Sequence, residues 1–160
     1  MKKTINIGEK EVILDNNFGW LLIYREQFGH DILPTLMPLL ASFLNLAAGV
    51  LQETGKSDSI DVKDVLAIAD GESMTAALIH MSGFELTELI NIVWCLAKNA
   101  DEDIPEPRKW IKDFDTFPLD TLVPEVFKLV LEGSASSKNL ERIQKAFSGL
   151  NPKTKKKQSK

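Results

Sequence analysis

Two histidines are the first candidates for a metal ligand or a general base in this chain of 160 residues. His30 lies in a predicted turn and His80 in a predicted helix. Neither belongs to a spacing such as H-E-x-x-H or C-x-x-C, which would bring several ligands to one metal. Asp31 follows His30 directly, but adjacent residues rarely form a catalytic pair and no candidate nucleophile accompanies them. We therefore expect no metal site, and we expect Asp31 to cap the helix that follows.

The other residues that could carry chemistry also favour structural roles. The nine glycines are scattered singly, so they form no phosphate-binding loop. The acidic residues 101–103 lack the alternating oxygen ligands of a calcium loop and predict a solvated loop. Cys95 is the single cysteine and lies in an apolar helical pattern, which favours an inert, buried thiol in a reducing compartment. The sequence thus predicts a protein that is not an enzyme and has no cofactor. The disfavoured alternative is an enzyme whose active site is assembled from residues that we interpret as structural.

Charge is divided unevenly along the chain. Residues 151–160 carry five lysines and no acid, which leaves 14 basic against 23 acidic residues in residues 1–150. An acidic body argues against a nucleic-acid-binding surface, because phosphate contacts require clustered basic residues. We expect one soluble domain over residues 1–150 and a disordered basic tail over residues 151–160. The polar stretch that follows Lys2 and Lys3 does not resemble a secretory signal, and it predicts a cytoplasmic location.

The start of the chain predicts a β-hairpin followed by a helix. Two β-favouring runs, residues 4–7 and 11–14, flank a turn over residues 8–10. Asn16 or Asn17 is expected to cap a helix that ends at Gly29 and folds back onto the hairpin. The apolar residues of this helix at helical spacing are Phe18, Leu21, Leu22 and Phe28.

Residues 32–51 form a run of twenty residues without a charge, which is long enough to cross a membrane. Pro34 and Pro38 near its start, its polar residues and the lack of flanking basic or aromatic clusters argue against a membrane span. Apolar residues cover most sides of the predicted helix. We therefore expect it to be central in the fold or to form an intermolecular contact.

Further helices are predicted over residues 61–70 and 74–78. They precede a capping box at residues 82–85, with Met81 placed to pack on Leu86. The helix behind this box has an apolar face at Leu86, Leu89, Ile90, Val93, Leu96 and Ala97.

The last third of the domain predicts a loop over residues 99–107 and then a short helical turn. Its aromatic anchors are Trp110, Phe114 and Phe117, and we expect Trp20, Trp94 and Trp110 to lie in the core. A helix from Pro124 to Gly133 follows, and then a final amphipathic helix that Leu140, Ile143, Phe147 and Leu150 mark and that ends near Gly149. The fold is predicted to be mainly α, with the N-terminal β-hairpin packed on a bundle of about five to seven helices.

Three stretches of the chain resemble one known family. They are INIGEKEVILDNNFGWLLIYREQFGHD, IVWCLAKNADEDIPEPRKWIKDFDTFPLDTLVPEV and the lysine-rich end. Together these stretches resemble the small tail assembly chaperones that siphophages and prophages of Gram-positive bacteria encode just before the tape-measure gene. These proteins have no invariant catalytic motif, so no functional residue is carried over individually.

The resemblance implies a non-enzymatic chaperone that coats the long, apolar, helical tape-measure protein before the tail tube polymerises around it, and that is absent from the virion. Its partners would be further copies of itself, the tape-measure protein and a longer form of itself, without nucleic acid or membrane. An acidic body with a surplus apolar helix suits such shielding. The residues expected to contact the oligomer or the client are Leu36, Leu40, Phe43 and Leu44. A structural virion component, such as a connector or tail-completion protein, is the alternative.

The lysine-rich end suggests how the longer form would arise. Lys155, Lys156 and Lys157 can be encoded by an unbroken run of adenines, on which a ribosome can slip. In the family that the chain resembles, such a programmed frameshift near the stop codon yields a minority product with a second domain. The tail would then be a flexible linker.

Overall fold

The computed structural model describes residues 1–38 and 85–134, together with positions 41, 45 and 53. The chain is mostly helical with an antiparallel hairpin at its N-terminus, which confirms the predicted fold class in outline. Residues 33–38 are helical, and the other elements are β1 (Lys2–Ile7), β2 (Lys10–Asp15), α1 (Gly19–Phe28), α2 (Leu86–Ala100), α3 (Pro107–Trp110), a 3-10 turn (Ile111–Asp113) and α4 (Leu119–Ser134). The predicted helices over residues 61–70, 74–78 and 140–150, and the tail over residues 151–160, lie outside the described residues.

The hairpin forms as predicted, with a loop one residue shorter than the sequence pattern suggested. Ile7 pairs with Lys10, so only Gly8 and Glu9 form the loop. Gly8 has φ +62°, the left-handed conformation that glycine adopts without strain at the first loop position of a type II′ turn. One face of the hairpin is buried in the core, through Ile5, Ile7, Val12 and Leu14.

The start of α1 confirms the prediction in part. Phe18 occupies the N-cap position and its side chain makes no capping hydrogen bond. Asn17 accepts a hydrogen bond from the backbone N–H of Gly19 at 2.9 Å, while Asn16 is buried and bonds to other parts of the chain. The expected stop is confirmed, because Gly29 has φ +77° and its N–H donates to the carbonyl of Arg25.

The packing of α1 also corrects the prediction that this helix folds back onto the hairpin. It buries Trp20 and Tyr24 and, of the described elements, packs most extensively against α2. Among the described elements, α2 also packs against β2. Residues 92–97 of α2 are all buried, as expected for a helix covered on most sides.

The start of α2 lies further along the chain than the capping box indicated. Glu85, with extended backbone angles of φ −74° and ψ 135°, is the N-cap, and the helix begins at Leu86. The predicted apolar face is confirmed at its centre, where Leu89, Val93, Leu96 and Ala97 are buried. Leu86, the first residue of the helix, is 50% exposed, and its predicted partner Met81 lies outside the described residues.

The last described helix, α4, is longer than predicted in both directions. It begins at Leu119, with the N–H of Leu122 bonded to the carbonyl of Pro118, so Pro124 lies inside it. Leu122 and Val123 are buried, and we attribute the earlier start to this packing, which outweighs the single helical hydrogen bond that Pro124 cannot donate. Gly133 is also helical and does not end the helix.

The hydrophobic core joins the inner face of the hairpin to α1, α2 and α4. Trp20, Trp94 and Trp110 are all buried, which confirms their predicted core role. Phe114 and Phe117 pack against the core as anchors of the segment that follows α3. In the part of the chain that the structure describes, no helix is long and apolar enough to span a membrane.

Candidate interaction surfaces

The outer face of α1 exposes two large apolar side chains. Phe18 is 62% exposed and Leu22 is 65% exposed, and their spacing of four residues places them on the same side of the helix start. We call this pair the α1 patch. In the sequence, both residues belong to one apolar set with Leu21 and Phe28 at helical spacing. The aromatic residues Trp20, Tyr24 and Phe28 repeat every four residues, and this repeat is the signal that identifies the packed side.

A groove borders the α1 patch at Phe18. It has a volume of about 440 Å³ and is lined by Met1, Asn16, Asn17, Phe18, Glu132 and Gly133. The groove therefore lies where the chain start, the β2–α1 corner and the end of α4 meet. Gly133 permits this close approach, because a Cβ atom at that position would lie 2.5 Å from the backbone oxygen of Asn16.

Polar side chains fix the corner that carries the α1 patch. The Asn16 Nδ2 donates to the carbonyl of Leu129 at 2.9 Å, and the Asn16 Oδ1 accepts from the N-terminal ammonium at 2.9 Å. The Asn99 Nδ2 on α2 donates to the Asp15 carbonyl at 3.1 Å and to the Asn17 Oδ1 at 3.0 Å. Hairpin, α1, α2 and α4 are thus joined at one corner.

Asp15 is the charged member of this corner. Its burial disfavours the carboxylate, but a hydrogen bond from the backbone N–H of Asn17 and the N-terminal ammonium outweigh that effect. The pKa of Asp15 consequently lies below its ordinary value of 3.8. Asp15 is therefore ionised at neutral pH and holds the corner through charge-assisted hydrogen bonds.

Tyr24, Glu88 and His30 form a second polar cluster, between α1 and α2. The buried Tyr24 hydroxyl donates to the Glu88 carboxylate and lies 3.4 Å from the His30 Nε2. Burial and the Glu88 contact both raise the pKa of Tyr24, so the phenol stays protonated. A phenol held in this form is a hydrogen-bond donor and not a general base, so we assign it a structural role in joining α1 to α2.

The predicted turn after α1 is confirmed. Asp31 accepts a hydrogen bond from the N–H of Leu33 at 3.1 Å, where the helical residues 33–38 begin. The His30 Nδ1 lies 3.1 Å from the Phe28 carbonyl, so its ring is occupied by local contacts. The described residues contain no group of His, Cys, Asp or Glu side chains that could hold a metal ion.

The acidic loop after α2 is fixed by a lysine. The Lys98 Nζ donates to the carbonyls of Glu102 at 2.5 Å and Ile104 at 2.7 Å, while the Asp101 Oδ1 accepts from the N–H of Asp103 at 3.0 Å. Residues 101–103 are exposed, as predicted for a solvated loop. Cys95 on α2 is buried, and burial raises the pKa of its thiol, so the reactive thiolate is disfavoured.

The contact residues predicted from the uncharged run are described only in part. Leu36 is 3% exposed and belongs to the core of this chain, so in this conformation its side chain does not contribute to a free surface. Leu40, Phe43 and Leu44 lie outside the described residues, as do Lys155, Lys156 and Lys157. The contact role of the three apolar residues and the linker role of the three lysines therefore remain predictions.

Comparison of the chain with protein-family models, with curated proteins and with solved structures gives no match. Support for a function therefore comes from the sequence resemblance and from the surfaces of the described residues. Among the described residues, the α1 patch places two largely exposed apolar side chains one helical turn apart.

Proposed function

We propose that this chain is a non-enzymatic tail assembly chaperone that binds and shields the tape-measure protein during tail morphogenesis. The observation that carries the proposal is the α1 patch, Phe18 and Leu22, on a domain with an excess of acidic residues. The resemblance of the sequence to this family supports the same function.

The chemistry of the α1 patch fits an apolar helix as its client. Two apolar side chains one helical turn apart are the spacing at which helices interdigitate. A pair of this size binds weakly by itself, so many copies along one long client would act together through multivalency. The excess of acidic residues would keep coated clients apart by charge repulsion.

Co-purification tests this function. The chain is co-expressed with the tape-measure protein encoded downstream, and the tagged client is captured. We expect the wild-type chain to be retained and the double variant Phe18→Asp/Leu22→Asp to be lost, because charges at the contact oppose burial. Leu86→Asp is the matched control, since it removes an exposed leucine elsewhere and should leave retention unchanged. Loss of all three proteins from the captured fraction would contradict the proposal.

The proposed longer form has a separate test. Sequencing of the locus should reveal a slippery run of adenines at the codons of Lys155, Lys156 and Lys157, an overlapping downstream frame and a following gene for a very long helical protein. A locus without these features would favour the alternative of a structural virion component. Mass spectrometry of purified virions distinguishes the two directly, because a chaperone is absent from them and a connector is present.

A further inference from the structure

The outer edge of β2 carries backbone groups that point away from β1. Ile7 and Lys10 close the two-residue loop and form a hydrogen-bonded pair, and such pairs alternate with non-bonded pairs along an antiparallel ladder. Thr4 pairs with Ile13 and Asn6 with Glu11 at the non-bonded positions. The N–H and C=O groups of Glu11 and Ile13 consequently face the free edge of β2.

Two hydrogen bonds beyond this stretch confirm the alternation. The carbonyl of Asp15, the next outward-facing residue, accepts from the Asn99 side chain at 3.1 Å. Asn16, an inward position, donates its N–H to the carbonyl of Met1 at 3.2 Å. Asn99 therefore occupies one end of the edge. Among the described residues, none forms a hydrogen bond with the outward backbone groups of Glu11 and Ile13.

A groove runs beside this free edge. It has a volume of about 290 Å³, with residues 10–13 on one side and Ile104, Trp110 and Phe114 among the residues on the other. Ile13 is 50% exposed, so the groove has apolar surface at both walls. We call it the β2 edge groove.

The charges of the β2 edge groove are mainly negative. Glu11, Asp101 and Asp113 all line it, and no ion pair in the described part of the chain neutralises them. Lys10 is the one basic residue in the lining, and its Nζ lies 5.7 Å from the centre of the Phe114 ring. The groove thus combines backbone N–H and C=O groups that are free to pair with another strand, apolar walls, and carboxylates that form no ion pair with a described residue.

We propose that the β2 edge groove binds an extended, basic segment of a partner protein as a third strand of the hairpin sheet. The partner backbone pairs with Glu11 and Ile13, as in other cases of strand addition. Because side chains alternate along a strand, one set packs on the apolar walls and the other set, of lysine or arginine, faces the carboxylates. This inference does not depend on the proposed chaperone function or on the α1 patch.

The probe for this proposal is a fluorescein-labelled nonapeptide of alternating valine and lysine, with a peptide of the same composition in two blocks as control. We expect the alternating peptide to raise fluorescence anisotropy at concentrations where the block peptide does not. Hydrogen exchange measured by NMR should then show new protection at the amides of Glu11 and Ile13. The amides of Thr4 and Asn6, on the opposite edge of β1, should show none.

A matched pair of proline variants tests the same edge. Ile13→Pro removes an N–H that faces the free edge of β2 and leaves every hydrogen bond between β1 and β2 in place. Thr4→Pro is the control, because it removes the outward N–H of the residue directly opposite, on β1. We expect Ile13→Pro to weaken peptide binding at least about fivefold, because one hydrogen bond to the peptide is lost. Thr4→Pro should leave peptide binding unchanged.

Three results would overturn the proposal: no binding of the alternating peptide, equal effects of the two variants, or binding to the wild-type chain without protection at Glu11 and Ile13. The exchange measurement on the wild-type chain stays decisive if a proline variant does not fold.

Discussion

Asn16 shows at the scale of one residue how a polar side chain can hold distant segments together. It is buried and bonds both to the chain start and to the carbonyl of Leu129, which is 113 residues away. Buried polar groups are tolerated in a core when their hydrogen bonds are satisfied. The sequence alone indicated a helix cap at this position, because Asn is favoured there and the tertiary partners were unknown.

Replacement of Asn16 tests this role. Asn16→Ala should lower the free energy of unfolding by about 1 to 3 kcal/mol, because the hydrogen bonds of the Asn16 amide to the Leu129 carbonyl and to the N-terminal ammonium are lost. Urea denaturation measures the change. Asn6→Ala, at an exposed position on the outer face of the hairpin, should stay within about 0.5 kcal/mol of the wild type. Equal stability of the two variants would show that the Asn16 bonds contribute nothing net.

The buried thiol of Cys95 and the buried phenol of Tyr24 predict how the stability of the fold responds to alkaline pH. The pKa values of Cys95 and Tyr24 are raised by burial above their ordinary values of 9.0 and 10.0. The folded state therefore holds both protons more tightly than the unfolded state. Stability from this source is complete below pH 9.0 and falls as the pH rises above it, first through Cys95 and then through Tyr24.

Urea midpoints measured from about pH 7 to about pH 11 would reveal this decline. Tyr24→Phe retains the ring and removes one of the two groups, so its stability should fall less steeply above pH 10.0. Parallel curves for the variant and the wild type would contradict the assignment of Tyr24.

At the scale of elements, the two faces of α1 should respond differently to truncation. Trp20→Ala should cost about 3 to 5 kcal/mol of unfolding free energy, because Trp20 is buried against the core. Leu22→Ala should cost no more than about 0.5 kcal/mol, because the side chain is largely in solvent. Thermal and urea unfolding measure both. A large loss for Leu22→Ala would mean that another part of the chain covers the α1 patch.

Gly133 provides a test of how closely α4 approaches the corner at Asn16. Alanine is favoured over glycine inside a helix by about 1 kcal/mol. The added Cβ would nevertheless lie 2.5 Å from the backbone oxygen of Asn16, which cannot move as a flexible side chain would. We expect Gly133→Ala to destabilise the fold by about 1 to 3 kcal/mol. A more stable variant would show that α4 and the corner separate in solution.

The elements that the sequence predicted best are those whose signals are local. The hairpin follows from alternating residues around Gly8, the centre of α2 from its helical periodicity, and the turn at Trp110 from the flanking prolines. The packed face of α1 and the start of α4 were predicted less well. Both depend on partners far away in the sequence, which neither spacing nor capping preference specifies.

The surfaces were predicted least well, for the same reason. Exposure of Phe18 and burial of Leu36 are decided by which neighbours the fold supplies, and both side chains are simply apolar in the sequence. The free edge of β2 required the strand register, and the groove beside it required the position of Trp110 and Phe114.

At the scale of the whole molecule, the described domain presents two surfaces of different chemistry. The α1 patch is apolar and lies on a helix. The β2 edge groove offers free backbone hydrogen-bonding groups of a strand and is flanked by carboxylates. We propose that the first shields a helical client. Phe18→Asp/Leu22→Asp should affect that activity without affecting binding of the alternating peptide, because the two surfaces share no residue.

Suppression of client aggregation is the most direct test of the proposed chaperone function. The tape-measure protein is diluted from denaturant with increasing amounts of this chain, and light scattering is recorded. We predict that the wild-type chain lowers scattering in proportion to its concentration, and that Phe18→Asp/Leu22→Asp requires at least about tenfold more protein for the same effect. Full activity of the variant would exclude the α1 patch as the client site. Unchanged scattering with the wild-type chain at every concentration would contradict the chaperone function itself.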